Sequence, residues 1–131
     1  MIEYLEGFDE KSFMLGMIEA FCEMAAQGVK PLALSPIMEP AQWEALTKAS
    51  DAVAAKYNVK SYAEAPLMSS DLVSDELIEN KVVVLYYKQD DILKEYLSLK
   101  EESEKLKQEG LYDSTARKKA SVSLRRLLGY N

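Results

Sequence analysis

The chain has 131 residues, with 16 basic and 22 acidic side chains, a net charge of −6 and 48% hydrophobic content. That suits one globular domain with one real core. Histidine is absent and Cys22 is the only cysteine, which excludes an intrachain disulfide, Ser-His-Asp and Cys-His nucleophile systems, and imidazole metal sites.

No apolar run approaches the roughly 20 residues that cross a bilayer. The start, Met1-Ile2-Glu3-Tyr4-Leu5-Glu6, lacks the basic region of a secretory signal. The expectation is a cytoplasmic protein without membrane contact. Charge is unevenly spread. Residues 114–131 carry Arg117, Lys118, Lys119, Arg125 and Arg126 and no acid, which leaves −11 on the rest. Such an acidic remainder makes a nucleic-acid partner unlikely.

In chain order, Tyr4, Leu5 and Phe8 form a short lead-in available for packing. Asp9 is placed to cap a helix over about 10 to 27. Its apolar stripe is Phe13, Met14, Met17, Ile18, Phe21 and Ala25, with Cys22 at the edge. Gly28 supplies the left-handed stop and Val29 the apolar residue after it. Pro31-Leu32-Ala33-Leu34-Ser35 reads as a short strand ended by Pro36. Pro40 suits the first turn of a second helix, about 40 to 57. Trp43, Leu46, Val53 and Tyr57 mark its buried face, and Asn58 ends it. A second strand follows over about 59 to 64. The two helix-to-strand joints echo one another, which shared cap chemistry explains without a repeat.

Residues 65 to 80 are polar, with a short helix over Asp71 to Glu79 capped by Ser70 or Asp71. Val82-Val83-Val84-Leu85-Tyr86-Tyr87 then sits between two lysines. It is β-branched, too short for an ordinary helix, and does not alternate. It therefore reads as an interior strand covered on both faces. Asp90 or Gln89 starts a helix to about 109, apolar at Ile92, Leu93, Tyr96, Leu97 and Leu99. Beyond residue 99 only Leu106 is apolar, so that half meets solvent or a partner. The last helix, about 114 to 128, carries Ala116, Ala120, Leu124, Leu127 and Leu128 on one arc. Lys118, Lys119, Arg125 and Arg126 lie on the opposite arc. Residues 90–128 should close as an antiparallel hairpin.

This pattern predicts a single α/β domain, 1–131, with a small, mostly parallel three-stranded sheet flanked by helices. The strand–helix–strand spacing favours parallel pairing. The alternative is an α+β arrangement with a mixed sheet, if the strand at 59 to 64 pairs antiparallel.

In open parallel sheets, ligands bind beyond the carboxyl ends of the strands. That would bring together Ser35, Glu39, Lys88, Asp90 and Asp91. Lys88 would hold an anionic group, and the two aspartates could take a hard cation. Each residue also has a plain structural role: turn, strand end or helix cap. Consecutive acids are a poor metal signature, since neighbouring helix side chains diverge by about 100°, and no metal or cofactor is expected. Cys22 reads as a core residue, and Met14, Met17 and Met24 as helix packing or an adaptable surface. The basic arc Lys118, Lys119, Arg125 and Arg126 would contact an acidic partner, or pair with Glu101, Glu102 and Glu104 on the facing helix or a twin subunit. Three classes remain: a homodimeric binding or assembly module, an enzyme using carboxylate or lysine chemistry, and an accessory nucleic-acid binder.

Overall fold

The computed structural model describes residues 9–130, so Tyr4, Leu5 and Phe8 lie outside the described residues. The elements run α1 (Glu10–Ala26), β1 (Leu32–Leu34), α2 (Pro40–Lys56), β2 (Lys60–Glu64), α3 (Asp75–Ile78), β3 (Val83–Tyr87), α4 (Asp90–Gln108) and α5 (Ser114–Leu127). Local chemistry accounts for their ends. Asp9 caps α1, its carboxylate accepting from the Lys11 N–H at 3.0 Å. Asp113 does the same for α5, accepting from the Ala116 N–H at 2.8 Å. After α1 and α2 the chain turns through left-handed residues, Gly28 at φ 76° and Asn58 at φ 56°. Glycine and asparagine tolerate that region best.

The sheet order is β1-β3-β2, and both neighbours run antiparallel to β3. This corrects the mostly parallel sheet expected from the sequence, and the pairing is wholly antiparallel rather than mixed. The reason lies in residues 65–82. A parallel return from β2 to β3 needs a crossover long enough to run back along the sheet. The helix expected over Asp71 to Glu79 is only the four residues of α3, with Ser74 at its N-cap position but no side-chain capping bond, about 6 Å of rise. Residues 69–71 are moreover fastened to α5, so the chain leaves and re-enters the sheet at the same end. Glu64 pairs with Val83 there.

The central strand is as the sequence predicts: all five residues of β3 are buried. Its two faces serve different layers. Val84 and Tyr86 pack with α1 and α2, against Ile18, Cys22, Ala25, Leu46 and Ala54. Val83, Leu85 and Tyr87 pack with α4 and α5, against Tyr96, Ala120, Leu124 and Leu127. Strand alternation sorts one apolar run into two cores. Buried phenols need partners. The Tyr86 hydroxyl lies 2.7 Å from the Ser50 hydroxyl, with both residues fully buried. The Tyr96 hydroxyl accepts from the Met68 N–H at 3.0 Å.

Between β1 and residue 38 the ladder gains one residue. Leu34 faces Leu85, yet Met38 bridges Val82. The extra residue falls at Pro36–Ile37, a β-bulge.

Candidate functional site

The antiparallel sheet dissolves the crevice expected from the sequence. The end of β3 lies beside the starts of β1 and β2, since Tyr87 pairs with both Leu32 and Lys60. Ser35 and Glu39 are therefore at one end of the sheet, and Lys88, Asp90 and Asp91 at the other. Ser35 is a sheet residue: its hydroxyl accepts from the Val84 N–H at 2.8 Å and donates to the Pro36 carbonyl at 2.9 Å. It thereby completes the ladder where the bulge interrupts it. Glu39 precedes α2, its N–H donating to Gln42 Oε1 at 2.8 Å, and its carboxylate pairs with Lys81 at 2.9 Å. Lys88 reaches the Ala26 carbonyl at 3.3 Å, at the end of α1. Asp90 pairs with Lys60, which holds its carboxyl below the usual range. Asp91 is exposed on the first turn of α4.

The basic arc divides. Lys119 and Arg126 line the seam between α4 and α5, whereas Lys118 and Arg125 are exposed away from it. None of the four makes an ion pair within 4 Å among the described residues. Arg117, which lies outside that arc, makes most of the contacts. Its guanidinium donates to Asp71 at 2.7 Å, to the Ser69 hydroxyl at 2.8 Å and to the Ser70 carbonyl, and lies 3.5 Å from Asp75. The Asp71 N–H donates to the Ser121 hydroxyl at 2.8 Å. The run Ser69-Ser70-Asp71 was readable as polar loop. That an arginine on the first turn of α5 would gather it was not, because the partners are 46 to 48 residues apart.

Two concavities compete as sites. The first is a cleft of about 370 Å³ between α4 and the 66–79 segment, with Leu67, Met68 and Ile78 below and Lys100, Ser103 and Lys107 on the wall. Several of its polar groups already have partners. Lys100 donates to the Pro66 carbonyl at 2.9 Å and stands 2.9 Å from Glu64 Oε2. Oε2 is otherwise without a hydrogen bond and lies off the angle for one with Lys100, so charge holds this buried pair. Asp75 is held below the usual carboxylate range, first by the Ser69 hydroxyl and then by Arg117. The cleft is a fastening of loop to helices.

The second concavity is an apolar groove of about 270 Å³ along the outer side of β1. Met17 and Phe21 of α1 form one wall, and Leu128 and Tyr130 after α5 form the other. Lys30 fixes that second wall: it donates to the Leu128 carbonyl at 3.0 Å and lies 4.2 Å from the centre of the Tyr130 ring. Gly129, at φ 88°, allows the close approach, since a Cβ there would sit 3.0 Å from the Val29 carbonyl. The Ser35 N–H donates to Val84, so Ser35 and Ala33 face β3. Alternation then turns the N–H and C=O groups of Leu32 and Leu34 away from β3. Among the described residues no strand lies on that side. Leu32 is fully buried, so only the peptide groups of half-buried Leu34 approach the groove between its apolar walls.

The remaining chemistry is sparse. Cys22 is fully buried and its thiol is pushed up to about 12, by burial and then by Glu19. It is a core residue and not a nucleophile. Among the described residues no group of three or more His, Cys, Asp or Glu is placed to hold a metal, and no helix is long and apolar enough to cross a membrane. No protein-family model, curated protein or solved structure matches the chain.

Proposed function

We propose that the protein is a small binding module that captures a short extended segment by strand addition at β1. The observation that supports this is the apolar groove beside β1, where the peptide groups of half-buried Leu34 turn away from β3. An added strand would hydrogen-bond to them while its side chains fill the groove. Both walls are apolar, so the segment needs consecutive apolar residues rather than an alternating pattern. Pro36 has no N–H to offer and Leu32 is buried, so pairing is short and centred on Leu34. The module belongs in the cytoplasm, where a lone thiol suits the redox poise, and works as a homodimer.

Panning a displayed library of random peptides against the full chain tests the groove. Peptides with three or four consecutive apolar residues are expected. Their binding should weaken at least about tenfold on Ile37→Asp, which puts a charge in the groove. It should be unchanged on Leu77→Asp, which changes an exposed residue of α3. Equal binding to the Ile37→Asp chain, or no enrichment at all, overturns the reading.

A further inference from the structure

We infer that the outer seam of the α4–α5 hairpin is the surface on which a second copy of this chain docks. This deepens the homodimeric part of the proposed function and is independent of the β1 groove. Two adjoining clefts of about 630 and 380 Å³ run along the seam and share Leu99, Glu102 and Ser123. Their two sides differ in charge. On α4 stand Asp91, Glu95 and Glu102, with Lys94 as the one cation; on the α5 side stand Lys119 and Arg126, with Asp113 at the helix start as the one acid. No ion pair within 4 Å crosses the seam among the described residues, so these charges face outward without a close partner of opposite sign.

The pattern is self-complementary in one orientation only. A two-fold axis parallel to the helices lays α4 of one copy over α5 of the other, antiparallel and at matching heights. Glu95 and Arg126 line one cleft, and Glu102 and Lys119 the other. The rotation therefore brings Glu95 opposite Arg126 of the second copy, and Glu102 opposite Lys119 of the second copy. An axis across the helices would instead set acid against acid, which is disfavoured. The result is a four-helix contact between two sheets. An isologous interface of this kind repeats each pair twice.

Sedimentation of the full chain at several concentrations reads the association. A dimer is expected, with its Kd rising as salt is added, because the contacts are charged and near the surface. Lys119→Glu with Arg126→Glu should weaken it at least about tenfold, and so should Glu95→Lys with Glu102→Lys. Mixed together, the two variants should recover a heterodimer, since both charge contacts are then of opposite sign. A chain that stays monomeric throughout overturns the inference. So does a dimer indifferent to salt, or a pair of folded variants that fail to combine. Should either variant fail to fold by circular dichroism, the salt dependence of the unaltered chain decides. The dissociated variants should still bind peptides selected on the β1 groove, so failure of the dimer and failure of the groove read out separately.

Discussion

The two edges of the sheet solve the same problem in opposite ways. Every edge strand exposes a row of backbone groups that another chain can pair with. On β2 that row lies among Lys60-Ser61-Tyr62-Ala63-Glu64, and charge brackets it: Lys60 pairs with Asp90, and Glu64 is buried beneath Lys100. On β1 the residues are Leu32-Ala33-Leu34, without a charge, and Leu32 and Ala33 are fully buried. The β2 edge is largely exposed and carries a charge at each end, whereas β1 is short, apolar and mostly covered. Both devices discourage open-ended sheet growth.

The largest expected effect comes from the buried charge at the end of β2. Lys100→Met strands the Glu64 carboxylate in a buried position and should cost about 3 kcal/mol in urea unfolding. Glu64→Leu combined with Lys100→Met should recover most of that. Tyr96→Phe, beneath the same edge, leaves the buried Met68 N–H without an acceptor and should cost about 1–3 kcal/mol. Arg117→Lys keeps the charge but loses the planar fork, and should cost about 1 kcal/mol. Hydrogen exchange should then quicken at residues 69–71.

Acid should loosen the surface charge contacts next. Asp90 is held below its ordinary value of 3.8 by Lys60, and Asp75 below 3.8 by the Ser69 hydroxyl and then Arg117. A lowered carboxyl contributes its stability in full above the ordinary value and loses it as pH falls through the folded one. The urea midpoint should therefore fall below about pH 4, and Asp90→Asn should flatten part of the fall. Smallest in stability is the groove beside β1. Ile37→Asp should shift unfolding by less than about 0.5 kcal/mol while removing peptide binding. A large loss of stability there would show that Ile37 supports the fold.

How much of this was legible follows from the range of the forces involved. Helix limits were readable because Asp9, Gly28, Pro40, Asn58 and Asp113 act within one turn. The double burial of Val83–Tyr87 was readable from composition alone. Strand direction was not, because it depends on where residues 65–82 are fastened, and that is decided by Arg117 and Ser121 far along the chain. The inward role of the Ser35 hydroxyl depends on a bulge that only the register reveals. Among five neighbouring cations, the sequence singled out the four on the solvent arc and passed over Arg117. An arginine that caps a loop and one that faces water are identical in one dimension.

The phenol–hydroxyl contact at Tyr86 has a consequence for alignment. A strand oily on both sides gives no polarity cue to say which side is which. Slide it one place and Leu85 moves opposite Ser50, abandoning the serine. Slide it the other way and Tyr87 meets Ser50, but the Tyr86 phenol is thrust into the hydrocarbon slot that Leu85 occupied. A single pair of oxygens thus acts as the proofreader of the central ladder.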